Sequence, residues 1–97
     1  MSPQENILIT LRELKPELIQ KFSVNSIGLF GSASRGDFSP DKSDVDLIVD
    51  FSNPIGIEFV DLANFIELRL NRKVDLVSKN GIKPKYFQAI ESDIVYV

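Results

Sequence analysis

The stretch GSASRGDFSPDKSDVDLIVDF, Gly31 to Phe51, joins a turn-forming segment to an apolar strand that opens with two acids one residue apart. Acids are depleted in strands, so Asp44 and Asp46 need a physical reason for their place. Period-two alternation supplies the geometry. Val45, Leu47, Val49 and Phe51 share one face of the strand and can pack under helices, while Asp44 and Asp46 share the other.

Working outward, Ser26 to Phe30 reads as a short apolar first strand. The Gly, Ser, Asp and Pro content of 31–43 predicts a loop with one helical turn after Ser32. The second strand covers Asp44 to Phe51, and Asn53-Pro54 ends it. From Ile57 to Leu70 the spacing of Phe59, Leu62, Ala63, Ile66 and Leu70 predicts a helix, with Asn71 as its stop. Its second stripe, Ile57, Val60, Phe65 and Leu68, predicts a helix sandwiched in the domain or a surface for a protein partner. Val74 to Val77 forms a third strand. If it neighbours the second, Val74 and Leu76 join the packed face and Asp75 turns to the side of the other two acids.

Upstream, Ile7, Leu8, Leu11, Leu14, Leu18, Ile19 and Phe22 mark a helix over 2–22, capped by Ser2 with Pro3 at its first position. Pro16 interrupts the pattern and predicts a kink or two shorter helices. Downstream, Pro84 opens a helix reaching about Glu91, and Ile94 to Val97 reads as a final edge strand.

Composition narrows the chemistry. The 97 residues make one domain, 1–97, with a net charge of −3. That balance argues against long nucleic acid as a partner, because such binding draws on phosphate neutralisation by basic groups. With no cysteine and no histidine, thiol chemistry and the commonest general base are absent. Catalysis falls to carboxylates, hydroxyls, Lys, Arg or Tyr, and a metal would be a hard, oxygen-ligated ion. No apolar run approaches the roughly 20 residues of a membrane span, and the N-terminus does not read as a signal peptide. The expected location is the cytoplasm.

Same-face carboxylates on one strand repel by about 2 kcal/mol at an effective dielectric of 20. Three at one spot invite a cation. Two Mg²⁺ ions, or Mn²⁺, would relieve the repulsion and could clamp an in-line phosphoryl displacement. Gly31 would let a phosphate approach the backbone, the Ser32 hydroxyl would add a donor, and Arg35 could meet a phosphate oxygen.

Gly31-Ser32, eleven residues, then Asp44-Val45-Asp46, with Arg35-Gly36 inside, resembles the DNA polymerase β-type nucleotidyltransferases. The small size is similar to the minimal nucleotidyltransferases, the antitoxin members of HEPN/MNT toxin–antitoxin pairs. This resemblance implies an α+β fold, a mixed β-sheet with helices packed on one face. It implies transfer of AMP from ATP to a tyrosine hydroxyl of a partner HEPN toxin, with release of pyrophosphate. By motif match Asp44, Asp46 and Asp75 would hold the metals and carry the catalysis, Asp75 nearest the acceptor. Gly31, Ser32 and Arg35 would bind the nucleotide. Rival readings are an antitoxin that neutralises its partner by covering it, and a transferase acting on a small molecule, for which the short chain offers few walls.

Bland roles suit other groups. Asp50 reads as a solvated acid at the far strand end, Asp37 and Asp41 as turn formers, Ser34 as a local cap and Lys42 as a solvated loop lysine. Tyr86 and Tyr96 read as core or edge packing.

Overall fold

The computed structural model describes residues 2–35 and 44–97. Expectations for Asp37, Asp41, Lys42 and the Gly36 part of the motif lie outside them. Helix α1 (Pro3–Phe22) leads into strand β1 (Val24–Phe30), a single helical turn α2 (Ser32–Arg35) and strand β2 (Val45–Phe51). Helix α3 (Glu58–Leu70), strand β3 (Val74–Ser78), helix α4 (Pro84–Ile90), a 3₁₀ turn over Glu91–Asp93 and strand β4 (Val95–Tyr96) follow.

The sheet order is β3-β2-β1-β4. Strand β2 runs antiparallel to β1 and parallel to β3, and β4 is antiparallel to β1. The sheet is therefore mixed. α3 makes the crossover that two parallel neighbours need. The core lies between α1, α3 and one face of the sheet, where Ile7, Leu11, Leu14 and Leu18 meet Ile27, Leu29, Val45, Leu47, Val49, Leu62 and Ile66. Each such aliphatic side chain contributes about 1.5–3 kcal/mol by leaving water, and together they fix which face of β2 is turned away from the helices.

Helix α1 starts as its sequence asks. The Ser2 hydroxyl accepts from the Glu5 amide at 3.1 Å, with Pro3 in the first turn. It then runs unbroken to Phe22, so the interruption predicted at Pro16 is corrected. Pro16 is exposed, as is Arg12 one turn earlier. The carbonyl that loses its intrahelical donor there faces the solvent side, where water can satisfy it. At the other end Ser23 takes a left-handed conformation and donates its amide to the Leu18 carbonyl.

Strand β1 begins at Val24, two residues before the predicted start. An irregularity between Val24 and Ser26 lets Val24 pair with Phe51 although Asn25 is exposed. Helix α3 ends at Asn71 in the left-handed region, φ 55°, as predicted. Its second stripe divides. Phe65 packs on Phe22, ring centroids 5.6 Å apart, whereas Ile57, Val60 and Leu68 are exposed.

The acid-bearing face is not wholly polar. Phe30 and Ile48 on that face are buried, outside the helix-covered core. The C-terminal segment contributes to this layer: Tyr96 stands opposite Gly28 in β1, and a Cβ placed on Gly28 would lie 2.6 Å from the Ile94 Cγ2. Glycine in a strand interior marks a close approach, here of Ile94. Gly28→Ala is expected to cost about 1–3 kcal/mol by overpacking, read as a lower denaturation midpoint at unchanged denaturant slope. A variant as stable as the parent would show that Ile94 does not press on β1.

The chain end is held as well. The Val97 amide donates to the Ile27 carbonyl at 3.1 Å, and Lys15 Nζ donates to the Val97 carbonyl at 2.6 Å. Tyr96 lies in the edge strand β4 and Tyr86 on α4, and both are about half-exposed, so neither takes the core packing expected as one alternative for it. Among the described residues no helix is long and apolar enough to cross a membrane.

Candidate active site

Gly31 decides the shape of the site. It follows β1 with φ 72°, a conformation that other residues reach only with strain. Its carbonyl accepts from the amides of Ser34 and Arg35 and from the Ser34 hydroxyl, each at 3.1 Å. Those bonds wind Ser32–Arg35 into one helical turn, and Ser34 serves the local role predicted for it. Gln4 Nε2 reaches the Ser34 carbonyl at 3.3 Å and ties the turn to α1. Ala33 is buried in the core, which anchors the turn from below.

Asp46 lies against this turn. Phe30 and Asp46 are register partners across β1 and β2, and a Cβ on Gly31 would collide with the Asp46 carboxylate, its Cγ only 3.1 Å away. Only a glycine leaves that carboxylate its place. Asp46 is also the register partner of Asp75 across β2 and β3. Side chains opposite one another on neighbouring strands share a face, and the strands run about 4.8 Å apart. Asp75 therefore stands on the same face as Asp46. Asp44, just before β2, shares that parity.

The electrostatics record the crowding. Burial, then the charge of Asp75, then that of Asp44, push the Asp46 carboxyl above its usual value, while the Arg35 guanidinium draws it down. Asp46 is half-buried, and Asp44 and Asp75 are exposed. Among the described residues no three carboxyl groups close around one point as a finished metal cage. The donor set nonetheless suits a hard divalent cation, since it offers carboxylate oxygens alone. Opposite charge placed among them would offset the repulsion felt at Asp46.

Arg35 faces two ways. Besides its field on Asp46, its Nη1 stands 3.7 Å from Asp93 Oδ2 in the 3₁₀ turn. Sequence reasoning missed Asp93, because nothing in the polar tail marks it as a neighbour of α2. Gly28 was also passed over, although a glycine in mid-strand was a usable signal. Asp50 stays apart at the far end of β2, taking a hydrogen bond from Asn25 Nδ2 at 3.2 Å. A cleft of about 460 Å³ opens at that far end beside Phe51, Phe59, Ser78 and Asn80. It holds none of the three clustered acids.

Carboxylates on two parallel strands, beside a glycine-tight turn at the end of a third, are groups that phosphoryl-transfer chemistry can use. The nucleotidyltransferase domain matches residues 11–97, and the chain belongs to that family of enzymes. It is 38% identical over 98 residues to the protein adenylyltransferase MntA of Thermococcus cleftensis, covering 93% of this chain and 98% of that one. It is also 38% identical over 89 residues to MJ0126 of Methanocaldococcus jannaschii, a candidate protein adenylyltransferase, covering 90% of each. A solved candidate minimal nucleotidyltransferase superposes with a TM-score of 0.79 at 26% identity, covering 98% of this chain and 95% of that one. The same fold recurs in a complex of the tri-AMPylated Shewanella oneidensis HEPN toxin with its MNT antitoxin. There the TM-score is 0.65 at 21% identity, with 98% and 71% covered.

Proposed function

We propose that this chain moves AMP from ATP to a tyrosine hydroxyl of a partner HEPN toxin and thereby acts as its antitoxin. The observation that carries the reading is Asp75 standing in register with Asp46, on the face that Gly31 closes against. The name of the Thermococcus relative, 38% identical over nearly the whole chain, supports a protein as acceptor.

In this reading Asp44, Asp46 and Asp75 hold divalent metal, Mg²⁺ before Mn²⁺. Bound there, the metal supplies charge neutralisation and in-line alignment of the displacement. Gly31 and Ser32 hold the triphosphate, and Arg35 meets a phosphate oxygen. The acceptor oxygen attacks the α-phosphorus, the bond to pyrophosphate breaks, and pyrophosphate leaves with the electron pair. Asp75 takes the acceptor proton in this reading, which its position on an edge strand and its exposure support.

Incubation with labelled ATP, Mg²⁺ and the product of the neighbouring gene tests this. Label should reach the partner, and Asp75→Ala should slow transfer by on the order of 10²–10⁴-fold, the usual worth of a positioned proton acceptor. A second reading has its own observation: Ile57, Val60 and Leu68 offer exposed apolar surface for a partner to cover. Neutralisation that survives Asp44→Ala and Asp75→Ala, with no label transferred, would establish that non-catalytic antitoxin instead.

A further inference from the structure

We propose that Asp93 is a positioning residue of this site, holding the Arg35 guanidinium at the rim of the carboxylate cluster so that it meets the triphosphate. The inference rests on the nucleotidyl-transfer reading of the site and adds the C-terminal segment to it.

Four observations place Asp93. Its Oδ2 lies 3.7 Å from Arg35 Nη1. It ends the 3₁₀ turn whose next residue, Ile94, covers the bare Cα of Gly28. β4 then pairs with β1 through Gly28 and Leu29. The Val97 amide bonds to Ile27, which fixes the segment along the strand that leads into Gly31 and α2. Asp93 is therefore set by the sheet, not by a free tail.

Arg35 has competing partners. It sits at the end of the turn that starts beside Asp46, and its charge acts on Asp46. A guanidinium on a long side chain can pair with any carboxylate within reach. Drawn fully onto Asp44, Asp46 or Asp75, it would take the position that suits a divalent cation. Asp93 supplies a further counter-charge, 3.7 Å from Nη1, that competes with the cluster for the guanidinium. The carboxylates are then left to the cation, and the planar donor fork is pre-organised for a phosphate oxygen.

Binding of AMP-PNP with Mg²⁺, followed by calorimetry, tests this without an acceptor protein. Asp93→Asn should weaken binding about tenfold, and Asp93→Glu should restore it to within about threefold of the parent, because it returns the charge. Mn²⁺ binding without nucleotide, read by electron paramagnetic resonance, should weaken in Asp93→Asn as Arg35 turns onto the acids. In an Arg35→Met background Asp93→Asn should change neither reading, since its whole effect passes through Arg35.

Equal nucleotide affinity in parent and Asp93→Asn would overturn the inference, as would a loss that persists in full in the Arg35→Met background. If Asp93→Asn lowers the thermal midpoint, the comparison of Asp93→Glu with the parent and the Arg35→Met cycle still decide. Parent protein that fails to bind AMP-PNP with Mg²⁺ would instead overturn the reading of the site, and this inference with it.

Discussion

Asp46→Asn is expected to slow transfer by at least about 100-fold and, in the presence of a chelator, to raise the melting temperature. Both effects come from one carboxylate. Asp46 is half-buried, faces Asp75 across parallel strands and sits beside Asp44. Like charges opposite one another in a sheet cost about 0.2–1 kcal/mol. For a domain of this size their relief corresponds to about 1–5 °C. The same charge holds cation in the proposed mechanism, so its loss should slow transfer by on the order of 100- to 1000-fold or more. AMP-PNP with Mg²⁺ should raise the melting temperature of the parent, by about 2.7 kcal/mol of linkage at a hundred times the dissociation constant. The variant should lack most of that shift. A variant destabilised in chelator yet still stabilised by nucleotide would contradict this account.

The pH dependence has a definite sign. The folded-state pKa of Asp46 lies above its unfolded value of 3.8. The native state then binds the proton more tightly than the unfolded chain, so this group costs stability at neutral pH. The cost shrinks as pH falls through the raised folded-state value and vanishes below the unfolded one. Without metal, the gap in melting temperature between parent and Asp46→Asn should therefore narrow as pH is lowered towards 4.

Gly31→Ala should damage both stability and activity. Its φ of 72° puts any other residue in the left-handed region, at about 1–2 kcal/mol. The added methyl also collides with the Asp46 carboxylate, at about 1–3 kcal/mol. The melting temperature should fall by on the order of 10 °C. Transfer should fall by about 100-fold, because a displacement of about 1 Å at the reacting groups has that effect. Gly81 is the control. A Cβ there would meet only Ser78 atoms at 3.7 and 3.8 Å, ordinary contact distances. Gly81→Ala should behave like the parent, and a Gly31→Ala that did the same would show that Asp46 is not confined by the turn.

The sequence made the acid face readable because parity is a local property. Alternation along 44–51 and 74–77 assigned each side chain to a face before any pairing was known. The Asn71 stop and the Ser2 cap were legible for the same reason, since each depends on a few adjacent residues. Features that depend on meeting distant chain were not. Nothing local says that β3 lies parallel to β2, or that β1 starts at Val24 to meet Phe51. Helix α1 passes through Pro16 because that position faces water, a fact of packing. Ile48 falls on the acid side by parity, and only the packing of the whole sheet buries it there. Arg35 was legible as a candidate from its motif, but its counter-ion comes from the other end of the chain.

The β2–β3 register carries a lesson for protein engineering. The Val45 amide donates to the Lys73 carbonyl at 2.9 Å, and the two strands continue in step from Val45 opposite Val74. A library that varies amino-acid identity at Arg72 and Lys73, keeping the left-handed Asn71 stop, preserves that alignment. One codon added or deleted in this short connector would carry Asp75 through the sheet to the oily side, so the connector's length sets the acid face more than its chemistry does.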